Sequence, residues 1–119
     1  MSDLKELLDA VEGENTEFKE AKNSFEFDEL IKYVCAIANE GGGRVVLGVT
    51  DRRPRKVVGT KAFTQPERTR AGILEKLGIA VGVQIHAYEG KRVLVFDVPA
   101  RPLGTALKYK GVYWGRRGD

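Results

Sequence analysis

Carboxylates are concentrated in one short segment near the start of the chain, and this segment is the first candidate for chemistry. Residues 12–19 hold three glutamates, and Asp51 ends a later apolar stretch that follows the glycines Gly41, Gly42 and Gly43. Carboxylate oxygens are the ligands that Mg²⁺ and Mn²⁺ prefer. If strand pairing joins the two segments, carboxylates gather beside a glycine corner. The pattern allows three interpretations: a metal site, a nucleic-acid contact, or an ordinary turn.

The elements that must position these residues follow from the spacing of apolar side chains. Helical spacing predicts helices over residues 3–11 and 25–39. Asn23 and Glu26 form a capping-box pattern before the second helix, and Thr64 is the expected N-cap of a third helix that ends near Gly78. Alternation and turn residues predict strands over residues 16–19, 44–50, 57–59, 81–88, 92–98, 107–110 and 112–114. This order predicts an α/β (α+β) fold in which a mixed sheet packs against two to three helices.

The glycine corner follows a helix instead of preceding one, which excludes a Walker loop and a dinucleotide fingerprint. Because helix C-termini repel anions, helix termination and close packing are favoured for Gly41, Gly42 and Gly43 over a phosphate cradle. Asn39 is expected to hydrogen-bond local backbone and so to fix this structural corner.

Composition limits the class of protein. The chain has 119 residues, of which 42% are hydrophobic, so one domain with an adequate core is expected. A single cysteine, Cys35, excludes an intrachain disulfide and indicates a cytoplasmic protein. A single histidine, His86, argues against a zinc site. No signal peptide or membrane-spanning run is evident, so no membrane partner is expected.

Charge is divided unevenly along the chain, although the formal net charge is only +3. Residues 1–51 hold five basic and twelve acidic side chains, whereas residues 52–119 hold fifteen and five. Basic clusters favour nucleic-acid binding, and Tyr109, Tyr113 and Trp114 are candidates for stacking on bases. The alternative is a solvated basic face with the aromatic rings in the core. The candidate phosphate-binding residues are Arg52, Arg53, Arg55, Lys56, Lys108, Lys110, Arg116 and Arg117.

Four segments taken together resemble the Schlafen AlbA_2 domain family. They are Glu14–Ala21, Ala36–Gly43, Val46–Asp51 and Gly111–Gly118. They resemble, in order, the family's Glu-Phe-Lys strand, its helix ending in Asn-x-x-Gly-Gly, its Gly-Val-x-Asp strand end and its closing Gly-x-Tyr-x-x-Arg-x-Gly segment. The resemblance extends from about Glu12 to the end of the chain.

The resemblance implies a DNA-binding module of a bacterial or archaeal transcriptional-regulator-like protein. We therefore expect residues 1–119 to be one domain in the N-terminal part of a longer protein, with DNA or RNA as partner. Some relatives are metal-dependent endoribonucleases, which implies that Glu12, Glu17 and Asp51 would be both catalytic residues and ligands of Mg²⁺ or Mn²⁺. A third possibility is an interaction module, a homodimer formed through an exposed strand or the first predicted helix.

Overall fold

The computed structural model describes residues 15–52, 54–102, 104 and 106–114. The helix predicted over residues 3–11 therefore lies outside the described residues. Two helices and six strands are seen in the described part of the chain. In order along the chain they are β1 (Thr16–Lys19), α1 (Phe27–Asn39), β2 (Gly43–Leu47), α2 (Pro66–Leu77), β3 (Gly82–Tyr88), β4 (Lys91–Val98), β5 (Lys108–Tyr109) and β6 (Val112–Tyr113).

The main sheet has the order β1-β2-β4-β3 and is mixed. Strand β1 runs parallel to β2, whereas β4 is antiparallel to both β2 and β3. The two C-terminal strands form a separate hairpin. The predicted mixed sheet packed against helices is confirmed. The strand expected over residues 57–59 is wrong, because only an isolated bridge joins Val57 to Val49.

The two central strands are buried on both faces. On one face Leu47, Leu94 and Phe96 pack against the apolar sides of α1 and α2, and on the other Val46 and Val95 join a second apolar cluster. This double burial explains why β2 and β4 read as continuous apolar runs instead of alternating ones. Burying an aliphatic or aromatic side chain stabilises the fold by about 1.5–3 kcal/mol each. In the described part of the chain, neither helix is long and apolar enough to cross a membrane.

The side-chain caps predicted for both helices are wrong. Helix α1 has Glu26 as its N-cap and α2 has Gln65, and neither side chain makes a capping hydrogen bond. Phe25 packs against the rings of Tyr33 and Phe63 at centroid distances of 6.4 and 6.5 Å. Glu26 has an extended backbone and the helix begins at Phe27, which is too late in the chain for Asn23 to cap it.

Asn39 does not bond to its local backbone as predicted, because its side chain holds the C-terminal hairpin. Its amide nitrogen donates to the carbonyl oxygens of Leu107 (3.0 Å) and Trp114 (2.9 Å), and its amide oxygen accepts from the Leu107 N–H (2.7 Å). One side chain at the end of α1 therefore fixes both ends of a hairpin about 70 residues later in the chain.

Replacing Asn39 should release this hairpin. In Asn39→Ala three hydrogen bonds are lost and buried backbone groups are left without them, so we expect a loss of about 2–4 kcal/mol in the free energy of unfolding. This change in the free energy of unfolding is measured by urea titration, with the fluorescence of Trp114, the single tryptophan, as the signal. Asn23→Ala is the matched control, with little expected change because Asn23 is exposed and does not cap α1. Equal stability of the two variants would contradict the role of Asn39.

Candidate nucleic-acid interface

One end of the main sheet collects several chain segments. Because β1 and β2 are parallel, both finish there, and because β4 is antiparallel to β2, the turn between β3 and β4 lies at the same end. The residues that follow Lys19, follow Leu47 and surround Gly90 are therefore neighbours. The positions of these strand ends determine which side chains form the surface.

A segment over residues 57–62 crosses this end of the sheet and closes it. The N–H groups of Val58 and Gly59 donate to the carbonyl oxygen of Gly48 at 2.8 and 3.0 Å. Farther on, the Thr60 N–H donates to Arg92 and the Lys61 N–H to Lys22. The crossing segment thus contacts, in turn, the residue after β2, the start of β4 and the residues that follow β1.

The side chain of Arg92 holds the crossing segment in place by hydrogen bonds. Its guanidinium donates to the carbonyl oxygens of Thr60 (3.1 Å), Ala62 (2.7 Å) and Phe63 (2.7 Å). Charge-assisted hydrogen bonds of this kind are stronger than neutral ones. The guanidinium is therefore part of the scaffold, while the neighbouring lysines are exposed to solvent.

An open groove of about 720 Å³ lies beside the crossing segment. Three exposed lysines and Arg92 contribute its positive charge, and no aspartate or glutamate of the described residues lines it. A concave surface lined by one sign of charge concentrates counter-ions. Its lining residues are Lys22, Asn23, Val58, Gly59, Thr60, Lys61, Thr64, Gly90, Lys91 and Arg92.

The basic residues that follow β2 differ in their surroundings. Arg52 and Lys56 are exposed in a loop that is closed by hydrogen bonds between Thr50 and Lys56. The Arg55 guanidinium lies 4.0 Å from the ring centroid of Phe18, so it packs over the second apolar cluster. Arg53 lies outside the described residues.

The two described lysines of the C-terminal hairpin contact other side chains of the protein. Lys110 forms an ion pair with Asp28 at 2.9 Å, and the Tyr109 hydroxyl donates to the same carboxylate at 2.6 Å. The Tyr109 hydrogen bond, with that of Lys110, lowers the pKa of Asp28 to about 2. Lys108 lies over the ring of Tyr113 at 5.1 Å. None of the residues lining the groove comes from this hairpin, and Arg116 and Arg117 lie outside the described residues.

The predicted aromatic stacking residues differ in exposure. Tyr113 is 61% exposed, whereas Tyr109 is buried against the core. Trp114 is half-buried, donates its indole N–H to the Tyr109 carbonyl oxygen and lies 5.1 Å from the Lys32 ammonium. Tyr113 is thus the most exposed of the three side chains, although Lys108 lies over its ring.

The predicted carboxylate site is only partly within the described residues. Glu17 is largely buried, and its carboxylate lies 3.4 Å from the Lys19 ammonium. Asp51 is exposed at the start of the loop after β2, and Glu12 lies outside the described residues. Among the described residues, no three His, Cys, Asp or Glu side chains form a group that fits a metal ion. The catalytic and metal roles of Glu12, Glu17 and Asp51 stay predictions.

The glycine corner lies at the opposite end of the sheet from the groove. A Cβ on Gly43 would lie 1.8 Å from the Asn15 carbonyl oxygen, and one on Gly42 would lie 2.9 Å from that of Val98. Gly41 and Gly42 have φ values of +104° and +95°, and their N–H groups donate to carbonyl oxygens at the end of α1. These N–H groups are used within the fold, which favours the structural interpretation over a phosphate cradle.

The family follows from the sequence comparison. The family described as "Schlafen, AlbA_2" matches residues 12–119, which is most of the chain. The chain belongs to this family. The comparison with curated proteins gives no match.

Two solved structures share the fold of this AlbA_2 domain. The DIP2311 protein from Corynebacterium diphtheriae is 23% identical with a TM-score of 0.63, and the match covers 80% of this chain but 21% of that one. The second is the N-terminal domain of a Nitrosomonas europaea protein described as related to the ATP-dependent DNA helicase RecG. It is 23% identical with a TM-score of 0.59, and the match covers 96% of this chain and 86% of that one. At this identity the likeness shows the fold.

Sequence reasoning missed the three lysines of the groove. Lys22, Lys61 and Lys91 are far apart in the sequence, and of the three only Lys91 has an adjacent basic residue, Arg92. A usable signal was nevertheless present, because Lys22 follows the first predicted strand and Lys91 lies in the predicted turn at residues 89–91. A prediction of which strand ends lie together in the sheet would have indicated that Lys22 and Lys91 are neighbours.

The Asp28 contact gives a pH-dependent stability. Because its pKa is about 2 in the folded chain and 3.8 ordinarily, its stabilising effect is complete above about pH 4 and is lost as the pH falls towards 2. Lys110→Met should therefore be less stable than the wild type at pH 5, and the difference should narrow by pH 2.5. Lys108→Met is the control, because Lys108 contacts Tyr113. Urea unfolding at the two pH values measures both, and a pH-independent difference for Lys110→Met would contradict the contact.

Proposed function

We propose that this AlbA_2 domain binds nucleic acid through the basic end of its sheet. The observation that carries the proposal is the groove, whose lining combines four cations with no carboxylate of the described residues. Lys22, Lys61 and Lys91 would contact phosphates from the groove. Arg52 and Lys56 would extend the surface along the neighbouring loop.

The chemistry fits phosphate contact more closely than base reading. Lysine ammonium groups act as point charges on phosphate oxygens and carry little sequence information. The groove volume of about 720 Å³ falls within the range of ligand sites. Gly59 and Gly90 leave its wall without side chains at two points, which allows a phosphodiester backbone to approach closely.

DNA is the first nucleic acid to test. One structural neighbour is described as related to a DNA helicase, and the family resemblance implies a DNA-binding module of a transcriptional-regulator-like protein. RNA is the alternative substrate, and the endoribonuclease hypothesis adds metal-dependent cleavage to binding. The experiment below includes both nucleic acids.

Neutralising the groove should weaken binding and its dependence on salt. The variant Lys22→Gln/Lys61→Gln/Lys91→Gln should lower affinity for a labelled duplex by roughly tenfold or more and reduce the salt slope by about 2–3, because three phosphate contacts are removed. Fluorescence anisotropy across a salt series measures both quantities. The control Arg68→Gln/Arg70→Gln/Lys76→Gln removes the same charge from exposed side chains of α2 that lie outside the groove. Equal effects of the two variants would indicate a diffuse charge effect and contradict the proposed site.

The same samples separate binding from catalysis. Single-stranded RNA and tRNA are incubated with Mn²⁺ or with a chelator, and the products are resolved by electrophoresis. Metal-dependent cleavage that is lost in Glu17→Gln would support the endoribonuclease, whereas intact RNA with salt-sensitive retention supports the binding module. If neither DNA nor RNA is retained at low salt, the proposed function is wrong.

A further inference from the structure

One edge strand of the main sheet has neither a charged residue of the Lys, Arg, Asp or Glu type nor a proline. Within the described residues, β3 pairs with β4 on one side and with no strand on the other. Natural edge strands are commonly guarded by charged residues or proline. The strand Gly82–Tyr88 contains no Lys, Arg, Asp, Glu or Pro.

The middle of this strand exposes a large apolar side chain. Ile85 is 60% exposed, with three strand residues on either side of it. Exposed apolar residues are unremarkable when they are scattered singly. Here the isoleucine lies at the centre of an unguarded, seven-residue edge that offers backbone donors and acceptors along its length.

We propose that β3 pairs antiparallel with β3 of a second copy of this chain, about a two-fold axis at Ile85. A symmetric pairing of this kind requires each residue to meet a compatible partner. With Ile85 opposite itself, Gln84 lies opposite the second copy's His86, Val83 opposite Ala87, and Gly82 opposite Tyr88.

Each of these cross-strand pairs is compatible. The pairing brings no like charges together, since the strand has no acidic residue, lysine or arginine. Gln84 and His86, which hydrogen-bond to each other within one chain at 3.0 Å, are uncharged or weakly basic polar groups and can lie opposite each other without repulsion. Gly82 leaves space on its face of the sheet, and an aromatic ring opposite a glycine fills such a space. This self-complementarity is the reason for choosing a second copy over an unrelated strand.

The dimer would contain one continuous eight-stranded sheet. Because the pairing is antiparallel, the basic end of one sheet and that of its partner would lie at opposite ends. The dimer is independent of the proposed nucleic-acid binding, since the groove residues lie outside Gly82–Tyr88. Either proposal can therefore fail without the other.

Sedimentation velocity over a concentration series tests the interface. The wild type should shift from monomer to dimer as concentration rises, and Ile85→Lys should remain monomeric because two lysines would oppose each other at the axis. Leu74→Lys is the matched control, since Leu74 is 49% exposed and belongs to α2, outside the strand that forms the proposed interface. Circular dichroism checks that both variants are folded. A wild type that stays monomeric up to about 1 mM, the weak limit of specific association, would overturn the proposal.

Cross-linking tests the register without relying on a disruptive substitution. Under mild oxidation Ile85→Cys should form a disulfide dimer, because the two cysteines face each other at the axis. Ala87→Cys is the control on the same strand, as its two copies would lie four residues apart across the pair. The wild type gives the baseline, since its one cysteine is buried. Equal cross-linking of the two cysteine variants would contradict the register at Ile85. A dimer that persists in Ile85→Lys would contradict the interface at β3.

Discussion

The burial of β4 between β2 and β3 is the constraint on which the rest of the structure depends. Val93, Leu94, Val95 and Phe96 are all fully buried, alternate residues on opposite faces of the sheet. A strand of this kind is stable only with neighbours on both edges and apolar layers on both faces. Its antiparallel direction then decides which loops lie at which end of the sheet.

The core and the candidate site are connected through the first residues of this same strand. Val93 is buried in the second apolar cluster, while the preceding Arg92 reaches out and binds three carbonyl oxygens of the crossing segment. The strand thus fixes the position of the segment that carries Lys61. Lys91 precedes it and lies at the groove itself. The crossing segment that forms part of the groove is therefore hydrogen-bonded to the most buried strand of the sheet.

The uneven charge along the sequence does not become an acidic face and a basic face. Asp28, from the acidic part of the chain, forms an ion pair with Lys110 from the basic part. Conversely, Arg44 from the acidic part forms an ion pair at 2.6 Å with Asp97 from the basic part. The groove also draws Lys22 from the acidic part. Lys110 is paired with Asp28 and Arg55 packs over Phe18, whereas no described aspartate or glutamate lines the groove at the sheet end. Surface ion pairs of this type contribute little to stability, but they do determine where uncompensated charge remains.

The sequence by itself predicted the two described helices, six of the seven expected strands, the mixed sheet and the family, because apolar periodicity, glycine positions and short ordered motifs are local properties of the chain. It also predicted Gly41, Gly42 and Gly43 as a corner, while the nucleic-acid-binding roles of Arg52 and Lys56 stay predictions. Only the tertiary structure decided that Asn39 bonds to Leu107 and Trp114, that Arg55 packs over Phe18, and that three lysines far apart in the sequence share one groove. The physical reason is that hydrogen-bond partners and charge neighbours depend on which strand ends meet. That is set by strand order and direction across the whole sheet, and no local stretch of sequence encodes it.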